Sequence, residues 1–175
     1  MKDSFSAPTG SRASATPQDK IDAVERKLLE KLIKLPLIPK PLGEYLPITK
    51  VGNLVYVSGQ LPLKDGSLGA FQGRLGKEIT LEAGQRAAQW CTFNALAHLK
   101  RDLGNLEKIK RVVKVTGYVA GMPGFTQQAE VLNGASRLLV ELFGENGRHS
   151  RVAVGVTDLP KGACVEIEFL FEVEP

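Results

Sequence analysis

Histidine, cysteine and tryptophan are almost missing from this chain: among 175 residues there are two, two and one of them. His98 and His149 stand far apart, and no Cys/His/Asp group has the spacing of metal ligands. Zinc chemistry and a serine–histidine–acid triad therefore start from a poor inventory. Cys91 and Cys164 come without a secretory apolar segment at the N-terminus, which fits two packed thiols in a reducing, cytoplasmic setting rather than a disulfide. No apolar run approaches the roughly 20 residues that would span a bilayer. The net charge of +4, with a pI near 9.1, is too small to argue for a nucleic-acid partner, though it suits small anions. Any chemistry must then come from arginine, carboxylates, hydroxyls and backbone donors.

What is present is an ordinary core-forming composition, 43% hydrophobic and 24% charged, which suits one domain with an appendage. Residues 1–16 are rich in Ser, Ala, Thr and Gly without periodicity, the pattern of a disordered tail. Residues 17–42 read as a helical arm and a connector. Thr16 is the expected N-cap and Pro17 the first helical position. Ile21, Val24, Leu28 and Leu32 then form one stripe on a helix over 17–34. Pro36, Pro39 and Pro41 forbid its continuation. The stripe could dock on a neighbouring subunit.

Residues 43–175 form the expected compact domain. The spacing predicts strands over 46–51 and 54–58 across a Gly52-Asn53 turn. At Gly59 a bulge or a close backbone approach is expected. A long glycine-rich loop covers 62–79. A helix over 81–103 is capped by Thr80 and stopped by Gly104. A strand over 109–119, a helix over 125–143, a strand over 152–156 and a strand over 165–173 complete the order β-β-α-β-α-β-β. The fold class is α+β: a sandwich with two helices on one face of a mixed sheet. The other face, expected to carry Leu54, Tyr56, Val112, Cys164 and Leu170, stays partly apolar, and oligomerisation is the usual remedy.

Three features could carry chemistry, and each has a bland counterpart. Arg151 opens a strand after a polar loop, and its planar fork suits a carboxylate or phosphate; it could equally be a solvated arginine or part of a structural ion pair. Glu166 shares a strand face with Glu168 and Glu172, which could simply be solvated, but burial would raise its pKa and make it a general base. Ser58-Gly59-Gln60 places a hydroxyl beside backbone N–H groups at a strand end, a common arrangement that is useful around an anion. His98 reads as a surface or interface residue of its helix, and Trp90 and Phe93 as packing.

These signals fall into a recognisable order: Tyr45; 51-VGNLVYVSGQLP-62; 112-VVKVTGYV-119; Phe125 and Asn133; Arg151; Leu159-Pro160; and 165-VEIE-168. Together they resemble the Rid family, also called the YjgF family, of enamine/imine deaminases, over about residues 43–173. The resemblance implies a chorismate-mutase-like fold assembled as a homotrimer with three clefts between subunits. It implies that Arg151 grips the carboxylate of a 2-imino or 2-enamino acid and that Glu166 activates water. Tyr45, Ser58 and Asn133 would line the cleft, and the backbone at Gly59 would help position the substrate. The products would be a 2-keto acid and ammonia, with no metal or organic cofactor implied. The N-terminal arm, a longer loop after Pro62, and Gly-Arg-His-Ser before Arg151 mark a divergent branch. Two alternatives stay open: an endoribonuclease or translation inhibitor, and a non-catalytic trimer that binds a small carboxylate.

Overall fold

A computed structural model describes residues 21–38 and 43–175. The expected tail and the Thr16 cap lie outside them. Among the described residues the arm helix is α1 (Ala23–Glu30), with Asp22 at its N-cap. The Asp22 carboxylate accepts from the Glu25 N–H, and the Glu25 carboxylate accepts from the Asp22 N–H, a reciprocal pair that fixes the start of a helix. The helix also stops short of residue 34. Leu32 has a left-handed φ of 59° and is 95% exposed. Ile21 is exposed too, so only Val24 and Leu28 of the expected stripe are buried.

Those two side chains dock the arm on its own chain, each contributing about 1.5–3 kcal/mol. Asp22 accepts from the Leu106 N–H at 2.8 Å and from Lys100 Nζ at 3.0 Å. Lys27 Nζ donates to the Leu142 carbonyl at 2.7 Å, and Lys31 pairs with Glu141. From Leu35 to Ile38 the chain has no regular structure, as Pro36 requires.

The sheet contains β1 (Ile48–Val51), β2 (Leu54–Gln60), β3 (Ile109–Ala120), β4 (Ser150–Val156) and β5 (Val165–Val173) in the order β1-β2-β5-β3-β4. Every pair is antiparallel except β3 with β4. That pair is parallel because α3 (Gln128–Phe143) crosses between them. The β1–β2 hairpin turns on Gly52-Asn53, with Gly52 at φ 58°, a conformation glycine adopts without strain. The predicted fold class holds: helices cover one face of a five-stranded mixed sheet. The second core helix, α2 (Leu81–Leu103), starts at Thr80, whose hydroxyl accepts from the Ala83 N–H, and ends at Gly104 in the left-handed region.

Strand β5 alternates cleanly. Val165, Ile167, Phe169, Phe171 and Val173 face the helices, and Glu166, Glu168, Leu170 and Glu172 face the open side. Strand β3 does not alternate throughout. Ile109, Val112 and Val115 are all buried at spacings of three, because its register against β5 shifts twice. Those irregularities put Val112 in the core rather than on the open face, and Cys164 is likewise buried. The open face keeps Leu54, Leu170 and exposed Tyr56, Val152 and Val154.

His98 also departs from expectation. It is 2% exposed inside the packed face of α2, not on the surface. The helix is buried on every side from Cys91 to Leu99, not on one stripe alone, and the loop after β2, whose Leu61, Leu63 and Leu68 cluster with Ala163, reaches it one turn before His98. Asn94, one turn before His98, donates to the Leu61 and Leu63 carbonyls at 2.9 and 3.0 Å and ties that loop down. Trp90 and Phe93 pack edge to face, with ring centres 5.6 Å apart.

Candidate functional site

Between Val57 and Gln60 the register of β2 against β5 slips, so Ser58 and Gly59 together oppose Glu168. This is the expected β-bulge, two residues against one. It also brings the backbone close to β5: a Cβ on Gly59 would overlap the carboxylate of Glu166. Bulge and close approach are thus one feature. Ser58 lines a cavity of about 340 Å³ on the open face together with Tyr56, Lys114, Thr116 and Glu168. Its hydroxyl and carbonyl take the Gln60 side-chain amide at 3.4 and 3.0 Å.

Glu166 stands opposite Tyr118 in the sheet, and Glu168 opposite Thr116. Partial burial pushes the Glu166 carboxyl above the ordinary value of 4.5, and the like charge of Glu168 adds to it. The Tyr118 phenol is raised by partial burial and then by the same two carboxylates. Sequence reasoning expected Glu166 to be perturbed once a neighbouring subunit covered it; the shift already exists within one chain.

Arg151 sits elsewhere. It pairs with Val115, whose side chain is in the helix-facing core, so Arg151 points to the helix side at the outer strand β4. There its Nη1 donates both protons to α3: to Asn133 Oδ1 at 2.9 Å and to Ser136 Oγ at 3.0 Å. Among the described residues no carboxylate pairs with this guanidinium, and Nε and Nη2 have no hydrogen-bond partner. The remaining edge is the side-on pair of donors that fits a carboxylate bidentately. Asn133, spending its carbonyl on Arg151, keeps its amide N–H₂ for a ligand.

The structure therefore assembles five of the six candidate residues into two groups and does not join those groups within one chain. Ser58, Gly59 and Glu166 meet on the open face. Arg151 and Asn133 meet on the helix face. Tyr45 belongs to neither group; it lies 45% exposed in the turn that enters β1.

Sequence reasoning missed Ser136 and His149. The loop before β4 presses on α3 at Gly147, where a Cβ would overlap the Leu139 carbonyl. From there His149 Nδ1 reaches the Gly147 carbonyl at 2.7 Å, and Nε2 reaches Ser136 Oγ at 2.9 Å. The only available signal was a histidine two residues before the candidate arginine. Among the described residues no group of three or more His, Cys, Asp or Glu side chains could hold a metal ion. Among the described residues no helix is long and apolar enough to cross a membrane.

Comparison with known proteins places the fold. The family model described as "YjgF/chorismate mutase-like, putative endoribonuclease" matches residues 25–172. The chain belongs to that family. Among its YjgF relatives, protein TCP17 of Trypanosoma cruzi is 44% identical over 142 residues, covering 81% of this chain and 88% of the relative. The 2-iminobutanoate/2-iminopropanoate deaminase of Dermatophagoides farinae is 30% identical, covering 83% and 98%. Among solved structures, that of Atu1372 from Agrobacterium tumefaciens superposes with a TM-score of 0.81 at 44% identity, covering 89% of this chain and 94% of that one. The YjgF fold is thus shared along nearly the whole described domain.

Proposed function

We propose that this protein hydrolyses 2-imino and 2-enamino acids to 2-keto acids and ammonia in a cleft between copies of the chain. The observation that carries this reading is the guanidinium of Arg151: half-buried, held by Asn133 and Ser136, without a carboxylate partner among the described residues, and offering one donor edge. Such a site orients a small carboxylate without covalent chemistry. A name borne by one relative, 2-iminobutanoate/2-iminopropanoate deaminase, supplies the substrate class.

The reaction asks little of the protein. An imine carbon is already electrophilic, so a carboxylate anchor, a positioned water and a proton acceptor suffice. Glu166, with its raised pKa, is the acceptor in this reading. With the imine nitrogen already protonated, it takes one proton from water as the oxygen bonds to carbon and returns it to the nitrogen. The nitrogen departs as ammonia as the C–N bond breaks, and the hydroxyl proton is lost to solvent from the newly formed C=O. Arg151 and Glu166 occupy opposite faces of one sheet, so the reading requires a second copy to bring Glu166 near Arg151, and a homotrimer is the proposed assembly. The apolar residues of the open face, Tyr56, Val152 and Val154, support burial against such a partner.

A coupled assay tests this reading. 2-Aminoacrylate or 2-iminobutanoate is generated in situ by a dehydratase, and keto-acid release is followed. Wild type is expected to accelerate release, and Arg151→Ala to lose about 10²-fold or more. No acceleration by wild type removes the proposal. RNA cleavage, the activity in the family's description, remains the second reading; it would have to proceed without a histidine pair, since His98 is buried in the packed face of α2.

A further inference from the structure

Four groups form a continuous hydrogen-bonded chain behind the proposed carboxylate site. The Gly147 carbonyl can only accept, so His149 carries its proton on Nδ1. In the neutral ring Nε2 then holds a lone pair and accepts the Ser136 hydroxyl proton. With its proton so directed, Ser136 Oγ presents a lone pair to Arg151 Nη1. The chain runs from backbone carbonyl through imidazole and hydroxyl to guanidinium, each link between 2.7 and 3.0 Å.

We propose that Ser136 and His149 are positioning residues of the anion site, which make its grip on a small monocarboxylate depend on the protonation of His149. This rests on the carboxylate reading of Arg151. Protonation turns Nε2 from an acceptor into a donor. Ser136 Oγ then accepts from both His149 and Arg151, and its own O–H is released toward the ligand. One donor and one positive charge are added beside the same anion. Acid therefore strengthens binding, and binding of the anion draws a proton onto His149.

The surroundings permit this. His149 is half-buried, and burial, followed by the charge of Arg151, lowers its pKa from the ordinary 6.5, against an upward pull from the Gly147 carbonyl. From α3 the ring meets Ser136, an uncharged group. In the preceding turn Arg148 and Glu145 pair with each other at 2.9 Å. From β3, Lys114 stands opposite Ser150 but lines the open-face cavity. No carboxylate among the described residues offsets Arg151 at the ring, so an arriving anion is the missing counter-charge.

Calorimetric titration of full-length protein with pyruvate, a stable 2-keto acid, between pH 5 and pH 8 tests the proposal. Wild type is expected to bind on the order of fivefold tighter at the acid end, with an observed binding enthalpy that varies with buffer ionisation enthalpy in the sense of proton uptake. His149→Gln retains a side-chain donor and acceptor but cannot titrate; it is expected to bind at pH 8 and to lose the slope. Ser136→Ala should weaken binding and flatten the slope, and Ser136→Thr should restore both. Imidazole ¹⁵N shifts at pH 8 should show the Nδ1–H tautomer. Binding that needs Arg151 but keeps its full slope in His149→Gln, or an Nε2–H tautomer, overturns this inference alone. Absence of pyruvate binding by wild type at every pH overturns the carboxylate reading together with it.

Discussion

Gly59 and Glu166 share one space: the carboxylate of Glu166 occupies the position that a side chain on residue 59 would fill. The β2 bulge makes this possible by lowering the strand toward β5 at the point where the glutamate rises from it. The backbone of Gly59 thereby becomes one wall around the proposed base.

Gly59→Ala separates stability from activity. The backbone of Gly59 is not in the left-handed region, so alanine fits its conformation, and the end of a glutamate side chain can swing aside. Stability should change by about 1 kcal/mol or less, as read by urea denaturation. Turnover should fall about 10- to 100-fold because the carboxylate is displaced. A fully active variant would detach Glu166 from the chemistry.

The Glu166 carboxyl is raised by burial and by Glu168. In the unfolded chain it ionises near 4.5, and in the folded chain only at higher pH. Ionised Glu166 therefore costs stability, and the cost grows as pH rises from 4.5 through the raised value. Glu166→Gln should raise Tm at neutral pH while abolishing turnover. In wild type the rate should fall as pH drops through the raised value. Glu168→Gln should move that acid limb to lower pH without removing it, since burial remains; pH–rate profiles of the two proteins decide.

Asp22 holds the arm in place. Burial favours its neutral form, but the N–H groups of Glu25 and Leu106 and the Lys100 ammonium outweigh this and keep its pKa below 3.8. A depressed carboxylate contributes stability above its unfolded value, and that contribution disappears as pH falls through the folded one. Asp22→Ala should cost about 2 kcal/mol, the upper end for a lost cap. Hydrogen exchange should show the loss confined to α1 while α2 and the sheet stay protected.

His98 is buried with Nδ1 unpartnered, and Asn94 Oδ1 beside it is also unpartnered. Burial first, then Arg101, lowers the pKa of the ring, against the opposing effect of Asp102. The unfolded chain therefore binds a proton that the folded chain refuses, and stability drops as pH falls below 6.5. Stability curves at pH 5 and pH 7.5 should converge in His98→Leu relative to wild type. An unchanged pH dependence would show that the ring takes up its proton without cost.

Much of this molecule is written in local pattern. The strict alternation of Val165 to Val173 and the Thr80 and Gly104 boundaries of α2 could be read directly, because period and capping are short-range effects. The phase of β3 could not be read: Val112 reaches the core through register shifts that only pairing with β5 creates. His98 was misplaced because α2 is buried on every side from Cys91 to Leu99, which a single helical stripe does not announce. The candidate site shows the same division. Arg151 and Glu166 could be picked out by their chemistry. Their separation onto two faces, and the Ser136–His149 link behind Arg151, depend on which strand and helix each residue meets.

That separation has a genetic consequence. If each cleft draws its arginine from one copy and its glutamate from the next, Arg151→Ala and Glu166→Ala chains carry complementary lesions. Each homomeric assembly would be inactive. Co-refolded at equal amounts, with random exchange of subunits, about a quarter of the clefts in a ring of this kind would unite an intact arginine with an intact glutamate. Two dead proteins would then yield a working one, and the recovered fraction would report how the subunits alternate.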